Sequence, residues 1–371
     1  LVLRNNYLQT LAISLAEAEG TAAAGFQMRL MHVLEQRAGL DRAIEGLPTD
    51  QEIAARIAAG QGLTRPEIGV LLAYAKIMLY DDLLASGVPD DAWLAREIQR
   101  YFPPQMEARF PDEIRRHRLR REIIATMLAN ALINRGGPTF TVKVSDQTGA
   151  DVEAIALAFA TARGVFDLTE VNGEIDALDA RIAGAVQLEL YRTVQTTLTG
   201  STVWFIRNWR FEDGVDAAIG HFRERIGELV RLSSAFLPAH RTEALAAQRA
   251  ALVGHGVPEA LAGRLAALPF VADYLDIILV ADACSKPLET VAATYYAVDD
   301  TFSVSRLDAR AAALSIGDYY EGLALDRARR VLSEAHRRIT LEAVRASGAD
   351  DPGRRVEAWI ERRAGAARRT L

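Results

Sequence analysis

Leu63-Thr-Arg-Pro-Glu-Ile-Gly-Val-Leu-Leu-Ala-Tyr-Ala-Lys76 writes out the start of a helix in full. Thr64 stands where a hydroxyl caps the first turn, and Glu67, three residues on, is placed to accept the Thr64 backbone N–H. Pro66 falls in the first turn, where a missing N–H costs nothing. Leu63 and Ile68 hold the two positions of a hydrophobic staple. From about Arg65 to Ser86 the apolar residues Ile68, Leu71, Leu72, Ala75, Leu79 and Leu83 then recur on one stripe, and Gly87 stops the run.

Outward from this segment the same period dominates. Pro89-Asp-Asp91 opens a predicted helix to Tyr101, and Pro103-Pro104 ends it. A long helix is predicted from Pro111, with Asp112 and Glu113 at the positive end of its dipole. Leu119, Ile123, Met127 and Ala131 form one apolar edge of it, with Ile124, Leu128 and Leu132 beside them, and Gly136-Gly137-Pro138 closes it. Phe140-Thr-Val-Lys-Val144 alternates apolar and polar residues and reads as a short strand. Helices resume at about 151–163 and 170–198, Gly200-Ser-Thr202 marks a break, and five to seven more follow from Gly214. Asp276-Ile-Ile-Leu-Val-Ala281 is apolar enough for a buried strand, but its flanks extend it to the length of a buried helix. The expected fold is all-α, an antiparallel multi-helix assembly with negligible β-structure, in two helical subdomains at 1–205 and 206–371.

Composition narrows the function. The chain has 371 residues, half of them hydrophobic, enough to bury a core. No apolar run approaches the eighteen or so residues of a membrane span. Cys284 is the single cysteine, which excludes an internal disulfide and a thiolate zinc cluster and suits a reducing, cytoplasmic setting. The net charge of −6 argues against nucleic acid as a partner of the whole chain. Leu1-Val-Leu-Arg-Asn5 has neither an initiator Met nor the layout of a signal peptide, so a piece of a longer polypeptide is expected.

Chemistry is hard to find in the sequence. Gly60-Gln-Gly62 is the nearest approach to a dinucleotide loop, yet it follows a helical stretch and lacks the third glycine, so it reads as a helix–helix turn. Only Lys76, Lys143 and Lys286 are lysines. Lys76 lies on a helix flank, where its stem is expected to snorkel, and none of the three reads as catalytic. His32, His117, His221, His240, His255 and His336 are scattered without metal spacing and read as surface or capping residues. Cys284 ends an apolar run and reads as an inert buried thiol. The pairs Asp81-Asp82, Asp90-Asp91, Asp299-Asp300 and Asp350-Asp351 read as caps or solvated ends, since neighbours on a helix do not face each other. No catalytic, cofactor-binding or metal residue is therefore assigned.

Several strings carry a likeness to a known family. Besides Leu63–Lys76, these are Asn6-Tyr-Leu-Gln-Thr10, Asp81-Asp-Leu-Leu84, Tyr101-Phe-Pro103 and His117-Arg-Leu-Arg-Arg-Glu-Ile-Ile-Ala-Thr126. Asn134-Arg-Gly-Gly-Pro-Thr-Phe140, Glu174-Ile-Asp-Ala-Leu-Asp179 and Trp204-Phe-Ile-Arg-Asn208 follow in order. Together they resemble the C-terminal helical region of the large bacterial NAD-specific glutamate dehydrogenases. The resemblance implies a parent enzyme that oxidises L-glutamate to 2-oxoglutarate and ammonia. Its NAD would lie outside this chain, and its catalytic domain on the same polypeptide would be a partner, in a homo-oligomeric enzyme.

Two features are then expected to meet the rest of that enzyme. Arg115, Arg116, Arg118, Arg120 and Arg121 crowd into what reads as two helical turns; the alternatives are a solvated face, a docking surface for acidic parts of the enzyme, and a site for nucleic acid or a phosphorylated effector. Trp204, Arg207 and Trp209 place large rings on two sides of one helix, in the core or at an inter-domain contact. The opening segment, from Leu1 to about Glu19, is expected to pack back on the catalytic domain. Arg354, Arg355, Arg362, Arg363, Arg368 and Arg369 decorate a terminal helix packed through Val356, Trp359 and Ile360. The rival reading is a stand-alone helical scaffold. A further rival, an independent helical enzyme, would assemble a site from dispersed residues such as His117, Asp179 and Arg207.

Overall fold

The computed structural model describes residues 2–314, 318–346 and 348–370, without the side chains of residues 2, 271, 272 and 365–370. The helices are α1 (Val2–Glu19), α2 (Ala24–Arg37), α3 (Arg42–Glu45), α4 (Asp50–Ala58), α5 (Arg65–Ala85), α6 (Pro104–Arg109), α7 (Pro111–Arg115), α8 (Arg120–Gly136), α9 (Phe140–Thr148) and α10 (Val152–Val165). After these come α11 (Leu168–Asp176), α12 (Gly184–Asn208), α13 (Gly214–Phe236), α14 (Ala239–Gly254), α15 (Glu259–Ala267), α16 (Val271–Cys284), α17 (Leu288–Phe302), α18 (Val304–Ala312), α19 (Tyr319–Ala346) and α20 (Pro352–Thr370). No strand occurs among the described residues. The chain divides within α13 into two compact units, one up to Ile219 and one from Gly220.

In the first unit α5 lies along α8, α10 along α12, and α1 packs on both α5 and α8. The start of α5 is as its sequence dictates: Glu67 Oε2 accepts the Thr64 N–H at 2.7 Å, and Leu63 and Ile68 are both buried. The whole stripe Ile68, Leu71, Leu72, Ala75, Leu79 and Leu83 is buried. Contrary to expectation, α1 finds partners for its apolar face inside the unit, burying Ala12, Leu15 and Ala16.

Other differences have local causes. Residues 140–144 are helical, at the start of α9. Gly136 leaves room for the Phe140 ring to fold back over it, where a Cβ would collide, and Gly137 turns the chain at φ 91°. Phe140, Thr141, Val142 and Val144 are then all buried together, so tertiary packing overrides the alternating pattern. The helix predicted from Pro89 is two 3-10 turns, Val88–Asp90 and Leu94–Tyr101, because the Asp91 carboxylate takes the Trp93 and Leu94 N–H groups at 2.9 and 2.8 Å. The helix predicted from Pro111 is split into α7 and α8; His117 Nδ1 takes the Leu119 N–H at 3.2 Å in the break. A turn separates α11 from α12, with Ala180 at φ 58° and its N–H on Asp179. No break occurs at 200–202: Ser201 and Thr202 are buried inside α12, where the Thr202 hydroxyl donates back to Leu198 O at 2.7 Å.

The second unit holds α13 from Gly220 and seven more helices, one beyond the upper expectation. α17 packs against α16, α19 and α20, while α14 and α15 form a hairpin. Asp276–Ala281 lies within buried α16.

Candidate functional site

The five clustered arginines do not share one helical face. The break between α7 and α8 leaves Arg115, Arg116 and Arg118 exposed, Arg115 paired to Asp112 one turn back. Arg120 and Arg121 turn inward on Asp90, and Arg121 Nη2 also donates to Leu84 O and Ser86 O at 2.9 and 3.0 Å. Those two residues close the C-terminal end of α5. On α12, Trp204 is half-buried with its ring edge-on to buried Phe205, Arg207 donates to Gln147 O at 2.6 Å, and Trp209 follows the last turn, its backbone N–H on Phe205 O. His117, Asp179 and Arg207 occupy separate neighbourhoods: His117 lies against Phe102, Asp179 caps Ala180, and Arg207 reaches Gln147.

What the sequence did not single out is a cleft of about 360 Å³ in the first unit. Its walls come from α1 (Arg4, Asn5, Leu8), the turn Leu94–Tyr101, α8, α10, α11 and Leu198 of α12. Met127 and Ala131, from the apolar edge of α8, line it and are only half-buried, whereas Ile124, Leu128 and Leu132 beside them are in the core. Four guanidiniums face the space. Arg163 and Arg100 share the buried Glu97 carboxylate, Arg100 at 3.2 Å. Arg135 donates Nη1 to Asn172 at 2.9 Å and has Asp176 3.8 Å from Nη2. Arg4 is exposed and makes no ion pair among the described residues. Asn134 Nδ2 donates to Asn5 at 3.1 Å, and its buried Oδ1 has no hydrogen-bond partner. Burial lowers the Arg135 pKa, opposed by Asp176 and reinforced by Arg4.

In the second unit polar side chains close around the buried carboxylates of Asp299 and Asp276. Arg241 pairs with Asp273 at 3.1 Å and with Asp299, whose side chain is only 6% exposed and which also accepts the Ser305 N–H at 2.6 Å. Arg337 meets buried Asp276 at 2.9 Å. Desolvation pushes Asp273 up to about 6, against the pull of Arg241. His336, expected at the surface or as a cap, is buried: its ring stacks on Tyr295 and Nε2 meets Tyr295 O at 2.9 Å, and burial lowers its pKa. Asp299 thus takes the capping role of the two expected, at the first turn of α18. Arg355 is not on the surface either, for its guanidinium donates to Ala349 O and to Thr294 Oγ1, at 2.7 and 2.9 Å. Arg362 and Arg363 reach Ala346 O and Glu342, while the side chains of Arg368 and Arg369 lie outside the described residues. Cys284, expected to be buried, is half-exposed, its thiol 3.8 Å from Ala281 O.

The remaining candidates have structural explanations. A Cβ on Gly62 would stand 3.0–3.1 Å from the Gly20 backbone, so chain packing accounts for Gly62, and Gly60 at φ 72° turns the chain between α4 and α5. Lys76 does not snorkel: its Nζ is buried without a hydrogen-bond partner, and desolvation brings its pKa to about 8. Among the described residues no group of three or more His, Cys, Asp or Glu could hold a metal ion. No described helix is long and apolar enough to cross a membrane.

Fold and surface together define an all-helical segment in two units, the first carrying an arginine-rimmed cleft. The family model described as "Glutamate dehydrogenase, C-terminal" matches residues 60–371, and the chain belongs to that family. It is 36% identical over 362 residues to the NAD-specific glutamate dehydrogenase of Pseudomonas aeruginosa, an alignment covering 97% of this chain and 22% of that protein. The protein of the same name from Halomonas elongata is 35% identical over 361 residues, with the same two coverages. The one from Mycobacterium tuberculosis is 31% identical over 299 residues, which is 80% of this chain and 18% of that protein. The chain spans about a fifth of the length of these relatives.

Proposed function

We propose that this chain is the non-catalytic C-terminal helical region of an NAD-dependent glutamate dehydrogenase, with a structural, assembly or regulatory role. The observation that carries the reading is the match along 97% of the chain to a fifth of proteins named NAD-specific glutamate dehydrogenase. The whole polypeptide would convert L-glutamate, NAD and water to 2-oxoglutarate, ammonia and NADH in the cytoplasm, with NAD held outside this chain. Partners would be the catalytic part of the same polypeptide and further copies of it. Exposed Arg115, Arg116 and Arg118, with the half-buried rings of Trp204 and Trp209, are the contacts proposed for them.

The test is NAD reduction with L-glutamate by the complete polypeptide, by a version lacking this region, and by this chain alone. Turnover is expected from the complete polypeptide and none from the chain. Turnover by the chain alone, or none by the complete polypeptide, overturns the reading. Arg115→Glu combined with Arg118→Glu separates the roles: a loss of assembly in sedimentation with the fold intact supports docking through this face.

A further inference from the structure

We propose that the cleft of the first unit is a binding site for a small organic monoanion with an apolar body. Leu8, Tyr101, Met127, Phe159, Leu168 and Leu198 supply walls that suit an aromatic or branched hydrocarbon, and about 360 Å³ lies within the range of small-molecule pockets. Their chemistry disfavours a bare inorganic ion, which would leave those walls wet.

Charge then selects the head group. Arg100 and Arg163 are both engaged by one carboxylate, that of buried Glu97. Arg135 is counterbalanced by Asp176. Arg4 alone lacks a counter-charge among the described residues, and it stands close enough to Arg135 for the two to repel. A carboxylate between Arg4 and Arg135 would relieve that repulsion and accept charge-assisted hydrogen bonds from both. Asn134 supplies an independent sign of a ligand: it is 1% exposed, it lines the cleft, and its Oδ1 has no partner. Buried acceptors are satisfied as a rule, so a neutral donor such as a hydroxyl next to the ligand's carboxylate would complete the set. No step of the proposed dehydrogenase reaction depends on this site.

Titration calorimetry of the complete polypeptide tests it with four probes: 3-phenylpropionate, its neutral counterpart 3-phenylpropan-1-ol, succinate and inorganic phosphate. Phenylpropionate is expected to bind at one site per chain, with the alcohol, succinate and phosphate each at least about tenfold weaker, the loss of one charged hydrogen bond. Arg4→Gln, an exposed substitution that leaves the fold intact, is expected to weaken phenylpropionate about tenfold, and Met127→Trp to block it by filling the wall. Phosphate or succinate binding as tightly as phenylpropionate would overturn the proposal in favour of a plain surface anion site. Equal binding of the alcohol, phenylpropionate binding unchanged in Arg4→Gln, or no binding by any probe would also overturn it.

Discussion

The polar groups of the two units solve opposite problems. In the first unit four arginines and a buried asparagine border a space they do not fill, and one acceptor and one cation are left without partners. In the second, Arg241, Asp273 and Ser305 gather around the buried carboxylate of Asp299 and pair with one another. A closed network of this kind fixes one packing of its helices but tolerates no lost member, because a lone buried charge is costly. An open rim costs little when altered, since water replaces the missing partner. The lesson is that polar density alone does not mark a site; an unfilled space beside it does.

The largest expected effect follows from that difference. Arg241→Met leaves Asp299 buried without its cation and is expected to destabilise the second unit by about 3–5 kcal/mol, while the first unit is unaffected. Trp359 is the one tryptophan in the second unit, against Trp93, Trp204 and Trp209 in the first. Urea unfolding followed through Trp359, with the other three replaced by Phe, reads this directly; a loss under 1 kcal/mol would mean the network is not closed.

Gly62→Ala tests whether the first unit is tight away from its cleft. Its methyl would press on the Gly20 backbone, and about 1–3 kcal/mol of stability should be lost. A neutral result would show that the whole unit yields, and the contrast between the units would become one of rigidity.

Asp273 gives the comparison a pH axis. Its folded pKa, about 6, lies above the ordinary 3.8, so the unfolded chain ionises first as pH rises. Its contribution is full below pH 3.8 and declines until about pH 6, beyond which it is constant. Asp299 is shifted down by Ser305 and Arg241, so its contribution has the opposite sign, present above pH 3.8 and lost below. Asp273→Asn is expected to flatten the decline between pH 4 and 6 by about 1–2 kcal/mol. Thermal unfolding across that range in both proteins is the check, and an unchanged slope would remove Asp273 from the account.

The smallest effects separate the arginines of the basic cluster. Arg121→Ala, losing its bonds to the carbonyls of Leu84 and Ser86, should cost about 1–2 kcal/mol. Arg118→Ala, at an exposed turn, should stay within about 0.5 kcal/mol. Equal losses would restore the reading of one shared helical face.

Much of the helical fold was legible, and little of the cleft. The start of α5 was readable because Thr64, Pro66 and Glu67 act within one turn. Buried α16 was readable because its flanks extend its apolar run. Residues 140–144 misled because Phe140 takes its place only through Gly136 and the core around it. The cluster from Arg115 to Arg121 misled because a histidine ring, not a Gly or Pro, ends the run of helix. The cleft draws on residues from 4 to 198 on six elements, and no local pattern joins them. Its one trace was the doubled apolar edge of α8, with more apolar surface than a single neighbour covers. Arg4 gave no signal, since an exposed arginine is ordinary.

Lys76 has a practical consequence. With its amine sealed in the first unit, lysine-directed reagents at neutral pH are left with Lys143, in the first unit, and exposed Lys286, in the second. With the α-amino group of the chain blocked, ordinary amine chemistry would thus install one dye on each unit without any engineered cysteine. Energy transfer between a donor and an acceptor on the two amines would then report the distance between the units, and whether it changes when phenylpropionate is added.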